Sequence, residues 1–150
     1  DFEADDMCGV EQKEDGSTMI VAIDKDLLQI PGKHYRWPII RKGSVVRPAQ
    51  HLDVTPLQGM QSFFKQMLTG DVSDNIKGIY GIGAKKAEAL ITPLKTEEEM
   101  YVAVLDLYHR DDTDKESIVC SEERFKRNCD LLWIFRNLGE TYSVRREIRG

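Results

Sequence analysis

The sequence predicts an α/β fold that passes into a mainly helical region, and three observations carry that reading. A short β-branched run, "MIVAI", lies between the turn-like segments "EDGS" and "DKD". Turn signals such as "RKGS" separate the other early apolar runs. Later, two capping boxes, Thr55 with Gln58 and Thr96 with Glu99, each open a stretch with helical apolar spacing. At 150 residues and 41% hydrophobic content, the chain can bury one core, or one core with a smaller companion. The boundary is expected near residue 52, with residues 1–52 forming the α/β part and 53–150 the helical part.

In chain order, "FEADD" reads as helix, and its position at the start of a chain without an initial Met suggests an excised piece. Met19 to Ile23 reads as a buried strand with Asp24 at its carboxyl end, where open α/β sheets bind ligands. "YRWPII" and "SVVR" read as two strands, with Pro38 confining the first to a sheet edge. In "TPLQGMQSFFKQML", Thr55 is the N-cap and Pro56 the first helical residue. Its face is Leu57, Met60, Phe63, Phe64, Met67 and Leu68, and Gly70 ends it. A glycine turn then feeds a helix from Ala84 to Ile91. The Thr96 box opens a helix with the face Met100, Ala103, Val104, Leu107 and Tyr108. His109 to Ser117 reads as a polar loop, and Ser121 as the cap of a last helix reaching about Asn137.

The net charge of -5 argues against a generally basic nucleic-acid binder, but it is unevenly spread. Asp1 to Ile30 holds nine acids against two lysines, whereas Lys33 to Arg47 holds five basic residues and no acid. Ile76 to Lys95 adds four lysines against Glu88. Such a pattern suits a metal site beside a polyanion. Three cysteines without CxxC spacing indicate neither a disulfide framework nor a zinc site, and they are expected to be reduced and mostly buried. No apolar run reaches the eighteen or so residues that span a bilayer, and no signal peptide opens the chain. A soluble intracellular protein is expected.

The acids fall in three clusters: Glu3, Asp5 and Asp6; Asp24 and Asp26; Asp71 and Asp74. If they converge, each pair ~5 Å apart repels by roughly 3 kcal/mol at an effective dielectric near 20, which only cations offset. Oxygen-only ligands favour Mg²⁺ or Mn²⁺, and two such ions can clamp a phosphodiester. Taken singly, each cluster also suits a helix start or a solvated turn. Neither "DKDLLQ" nor "DVSDNIKG" has the ligand alternation of an EF-hand.

"GIYGIGAKKAEAL" is not a Walker loop, because Gly83 is followed by Ala84 and Lys85 without GK[ST]. It is not a dinucleotide fingerprint, since the third glycine would fall at Lys86. What remains is a tight turn opening a helix, with free N–H groups and two lysines, able to grip a phosphate backbone without reading bases. The basic stretch from Lys33 to Arg47, with Tyr35 and Trp37 interleaved, suits a hairpin lying along DNA as well as a solvated one.

"FEADD", "AIDKDLLQI" and "GDVSDNIKGIYGIGAKKAEALI", in this order, resemble the 5′-nuclease family: phage and bacterial 5′-to-3′ exonucleases, flap endonucleases and the 5′-nuclease domain of bacterial DNA polymerase I. The resemblance is strong to Ile91 and weak beyond, where "NCDLLWIFRNL" is similar to the family's closing helix. It implies a PIN-like, Rossmann-like domain followed by a helix-three-turn-helix, about residues 70–91. It also implies two Mg²⁺ or Mn²⁺ ions on Glu3, Asp5, Asp6, Asp24, Asp26, Asp71 and Asp74, with Asp24 and Asp71 central to catalysis. Lys77, Gly78, Gly81, Gly83, Ala84, Lys85 and Lys86 would grip double-stranded DNA bearing a 5′ end or 5′ flap, with K⁺ held on nearby carbonyls. Lys86 stands where many members have threonine. The family's N-terminal half, with further metal-binding aspartates and a helical arch, has no counterpart here. The chain therefore resembles a carboxyl-terminal portion, and the 150-residue piece alone is expected to be weak or inactive. The alternative is a DNA-binding and metal-binding fragment that does not cut. A monomer of bacterial or phage-infected cytoplasm, acting in DNA replication and repair, completes what the resemblance implies.

Overall fold

The computed structural model describes residues 3–111 and 120–150. The chain folds as two compact units: residues up to Gly59 together with Ile134–Glu140, and Met60–Trp133 together with Thr141–Gly150. This is a mixed α/β chain with small sheets, as the sequence predicts.

In the first unit, α1 (Ala4–Glu11) leads to β1 (Met19–Val21), a short 3₁₀ turn over Asp26–Gln29, and β2 (Gly32–Arg36). A hairpin of β3 (Ile39–Arg41) and β4 (Ser44–Arg47) follows, then β5 (Gln50–Val54). The sheet runs β1-β2-β5, with β1 parallel and β5 antiparallel to β2. Beneath it Ile20, Leu27, Ile30 and Ile134 form a small core against which Cys8 and Ala22 pack.

Two strand expectations need correction. The run Met19 to Ile23 is not buried throughout: Met19 and Val21 are 48% and 57% exposed and only Ile20 of the strand is buried. Side chains alternate along the strand, so Ile20 enters the core while Met19 and Val21 lie on the opposite face, which is uncovered among the described residues. "YRWPII" is not one strand, because Pro38 has no N–H and favours an extended Trp37. Tyr35 and Arg36 therefore finish β2, while Ile39 and Ile40 begin a separate two-stranded sheet with β4. Lys42 and Gly43, with φ of 49° and 78°, make the tight turn between them. Strand β5 is an element that the sequence reading lacks. Its alternation is legible, but Gln50, His51 and Asp53 give it the polarity of a loop.

Helix α2 (Pro56–Thr69) opens on the expected box: the Thr55 N–H donates to Gln58 Oε1 at 2.9 Å and the Gln58 N–H to Thr55 Oγ1 at 3.1 Å. The two units divide within this helix. The second unit continues with a miniature hairpin, β6 (Gly70–Asp71) and β7 (Ile76–Lys77), then α3 (Ala84–Ile91), α4 (Glu97–Arg110), α5 (Ser121–Leu132) and α6 (Tyr142–Arg149). Phe63 sits at the centre of an aromatic cluster, with ring centroids 4.8 Å from Tyr142, 5.0 Å from Phe64 and 5.2 Å from Trp133. Tyr108 is wholly buried, and its hydroxyl donates to the Met67 carbonyl at 2.7 Å.

The Thr96–Glu99 box forms as expected, and His109 and Arg110 belong to α4 rather than to a loop. The rest of the polar segment, residues 112–117, lies outside the described residues. Ser121 is not the cap of α5; Cys120 holds that position without a side-chain hydrogen bond. Nor does this helix reach Asn137. Trp133 turns extended, and the next N–H groups are taken elsewhere: Ile134 donates to Gln29 Oε1 at 2.8 Å and Phe135 to Asp6 Oδ1 at 3.1 Å. Helix α6, capped by Thr141 Oγ1, was not foreseen. Of the cysteines only Cys129 is buried; Cys120 is exposed and Cys8 is intermediate. Burial pushes the Cys129 thiol up, as do burial and then the Asp5 charge at Cys8, so neither is a ready nucleophile. No described helix is long and apolar enough to cross a membrane.

Candidate functional site

The first acidic cluster starts α1. Glu3 is its N-cap, with the Glu3 N–H donating to Asp6 Oδ2 at 3.3 Å. Because Asp6 Oδ1 accepts from Phe135, both Asp6 oxygens are engaged by backbone donors. Asp5 is intermediate in exposure and Glu3 is exposed. The second cluster follows β1, where Asp24 Oδ1 accepts the Asp26 N–H at 2.9 Å and Asp26 opens the 3₁₀ turn.

The third cluster is built by the β6–β7 hairpin. Asp71 Oδ1 accepts the N–H of Ser73 at 2.8 Å and of Asp74 at 3.4 Å, and Asn75, at φ 56°, closes the turn. Asp74 itself is exposed. Asp24 and Asp71 thus share one arrangement: Oδ1 fixes the local turn and Oδ2 makes no hydrogen bond among the described residues. Glu3, Asp5, Asp6, Asp24 and Asp26 belong to the first unit, and Asp71 and Asp74 to the second. Among the described residues no three His, Cys, Asp or Glu side chains are gathered as a metal-holding group.

The glycine segment follows directly. A Cβ on Gly78 would lie 2.3 Å from the Leu68 carbonyl oxygen and 2.5 Å from the Gly70 nitrogen, so only glycine lets the hairpin close on the end of α2. Ile79 and Ile82 plug the loop into the core, and the Ile79 N–H donates to the Leu68 carbonyl at 2.8 Å. Gly81 is needed for its φ of 74°. Gly83, the N-cap of α3, differs from both: its φ is -90°, open to any residue, and nothing lies within 4 Å of a Cβ placed there. Its lack of a side chain serves no internal contact.

Helix α3 begins where predicted, at Ala84. Its one acid, Glu88, is occupied by Lys65 at 2.6 Å, and the hydrogen bonds from Lys65 and Thr92 hold its carboxyl below the ordinary range. Lys77, Lys85 and Lys86 are exposed and face no carboxylate at ion-pair distance among the described residues. The start of α3 therefore offers open backbone, free N–H groups and uncompensated positive charge.

Between hairpin and loop lies a cleft of about 430 Å³, lined by Asp71, Lys77, Gly78, Tyr80 and Arg124 among others. Asn128 on α5 fixes its floor, donating to the Lys77 carbonyl at 2.9 Å and to the Tyr108 hydroxyl at 3.0 Å. No local pattern singles out Asn128, whose partners lie 51 and 20 residues away.

Three relatives share this chain's sequence over most of its length. DNA polymerase I of Deinococcus radiodurans is 34% identical over 75% of this chain and 12% of its own length. A 5′-3′ exonuclease of Halalkalibacterium halodurans is 32% identical over 81% of the chain and 45% of its own length. DNA polymerase I of Borreliella burgdorferi is 36% identical over 73% of the chain and 13% of its own length. The chain belongs to the 5′-nuclease family. No family model matches the chain, and no solved structure matches it either. The chain spans less than half the length of these three relatives.

Proposed function

We propose that this chain forms part of a structure-selective 5′ nuclease, a 5′-to-3′ exonuclease or flap endonuclease that hydrolyses DNA phosphodiesters with two divalent ions. The observation that carries the reading is the start of α3, where Gly83 is free of every internal demand and Lys85 and Lys86 are uncompensated. An N-cap without a side chain, beside free N–H groups, suits the close approach of a phosphate backbone. Gly78, Gly81 and Ala84 shape that approach, and Lys77 adds charge beside the cleft. The segment corresponds to a helix-three-turn-helix in this reading, with K⁺ on its carbonyls, and the first unit to the carboxyl part of a PIN-like domain.

The donor chemistry fits Mg²⁺ or Mn²⁺, because the acids are hard oxygen ligands and Asp24 and Asp71 each keep Oδ2 free. Asp24, Asp26, Asp71 and Asp74 would hold the ions, with Glu3, Asp5 and Asp6 completing the acidic set. Bound divalent ions supply an activated water and neutralise charge on the phosphodiester. The chain's own contribution is to fix Asp24 and Asp71 through turns that use only one oxygen each, and to offer the duplex the open start of α3. The substrate in this reading is duplex DNA with a 5′ end or flap, and the setting is bacterial or phage DNA replication and repair.

A second reading is binding of DNA and metal without cleavage, by a chain that spans less than half the length of the relatives it matches. One experiment separates the two: the full-length protein is given Mg²⁺ and a 5′-flap duplex, with Asp24→Asn and Asp71→Asn beside the wild type. The nuclease reading expects cleavage that both variants abolish, and tight DNA binding without cleavage in the wild type would favour the second.

A further inference from the structure

Arg36, at the end of β2, and Arg47, at the end of β4, are each held by neutral acceptors, and the acceptor of Arg47 belongs to Trp37, the residue that follows Arg36. Arg36 donates to the Ile23 carbonyl at 2.7 Å and to Gln50 Oε1 at 3.2 Å, and Arg47 donates to the Trp37 carbonyl at 3.1 Å. Neither faces a carboxylate at ion-pair distance among the described residues, and in both the buried Nε has no hydrogen-bond partner. Burial, and after it the neighbouring Arg47 charge, pushes Arg36 down from its ordinary value, with Asp24 acting the other way. Two partly buried guanidiniums with like charge and donors left over are what a shared anion relieves.

The surroundings favour a repeating anion over a single one. The hairpin carries Arg41 and Lys42, both exposed, near its turn, within fifteen residues that contain no acid. From Arg47 back to the turn is four strand residues, about 13 Å at ~3.3 Å each. That length is enough to pass more than one phosphate of a DNA strand, whose successive charges rise ~3.4 Å along the helix axis. The flanking Trp37, Ile40, Val45 and Val46 are exposed, so packing gives this hairpin no reason to be so basic.

We propose that Arg36 and Arg47 together bind one backbone phosphate of the DNA, beside Asp24, and that the β3–β4 hairpin continues along the same strand. The inference rests on the nuclease reading and adds to the α3 clamp a second hold, in the unit that carries Asp24. Guanidinium forks suit a phosphate through paired N–H donors, which makes the arginines more informative than the lysines beside them.

The test is a salt titration of duplex binding by fluorescence anisotropy, using the full-length protein with Arg36→Gln, Arg47→Gln, Arg47→Lys and, as reference, Lys85→Ala/Lys86→Ala. Each glutamine variant is expected to reduce the slope of log affinity against log salt by about one, while Arg47→Lys keeps the slope. Thermal midpoints show that the variants are folded, and ¹⁵N spectra of the two Nε–H groups should move on adding duplex. Unchanged slopes in the glutamine variants, with a reduced slope in Lys85→Ala/Lys86→Ala, overturn this inference and leave the nuclease reading standing. Inorganic phosphate that moves both Nε–H signals as far as duplex does, without any change of slope in the variants, overturns it in favour of a small-anion site. A wild type with no salt-dependent affinity for duplex removes both.

Discussion

Gly78 and Gly83 lie five residues apart and make opposite predictions. Gly78→Ala drives a methyl into the backbone of Leu68 and Gly70 and should cost about 2 kcal/mol or more, read by denaturant unfolding. Gly83→Ala meets nothing, so stability should change by no more than about 0.5 kcal/mol, while duplex affinity falls on the order of tenfold, about 1.4 kcal/mol. A Gly83→Ala variant that binds duplex as tightly as the wild type would count against the clamp. The sequence identifies both as glycines of one turn, but only the spacing of neighbouring backbone separates Gly78, which the fold requires, from Gly83, which it does not. His34 is a third case, a residue without a sequence signal. It is buried in the middle strand, with Nε2 2.7 Å from the Ile30 carbonyl, which can only accept, so that nitrogen carries the proton. Burial holds its pKa below the ordinary 6.5, so the folded state takes up a proton less readily than the unfolded one. Its contribution is full above pH 6.5 and declines as pH falls below that value. The thermal midpoint should therefore drop from pH 7 to pH 5.5, and drop less in His34→Gln.

At the scale of elements, α6 is fastened to α4 by charge. Arg145 of α6, nearly buried, forms a two-pronged pair with Glu97 at 2.5 and 3.0 Å, and the Tyr142 hydroxyl donates to the same carboxylate at 2.8 Å. Burial alone would raise the Glu97 carboxyl, but the bonds from Arg145 and Tyr142 outweigh it and hold it below 4.5. Glu97→Gln should cost about 2–3 kcal/mol in urea unfolding, with partial exposure of the carboxylate reducing the full cost of a broken buried pair. Such long-range pairs explain which elements sequence reasoning finds. The starts of α2 and α4 are written locally, as four-residue capping boxes, and α3 is written by its glycines. The end of α5 is written in Gln29 and Asp6, more than a hundred residues away, and no local pattern states it. The β3–β4 hairpin lies between these cases: its turn is legible, but its separation from the sheet depends on Pro38. Replacing Arg41 and Lys42 with alanine should lower the salt dependence of duplex binding, and an unchanged slope would mark the hairpin tip as merely solvated.

For the molecule as a whole, the motifs that carry the family likeness fall on turns and helix starts rather than on buried strands. That is why they are readable: Asp24 and Asp71 answer to their immediate neighbours through Oδ1 alone, and Gly83 has open space where a Cβ would stand. The arginine pair is not legible in the sequence, because Arg36 and Arg47 sit on strands of different sheets and no spacing rule relates them. The central claim is that Asp71 serves both a turn and a divalent ion. Asparagine retains Oδ1 and therefore the hydrogen bonds from Ser73 and Asp74, but removes the charge that an ion requires. The most direct measurement is Mg²⁺-dependent cleavage of a 5′-flap duplex by the full-length protein, compared with Asp71→Asn at matched duplex occupancy. The predicted result is a loss of cleavage on the order of 10²-fold or more, with the thermal midpoint unchanged. Cleavage that persists in Asp71→Asn, or that proceeds equally well with the divalent ion chelated, would contradict the account.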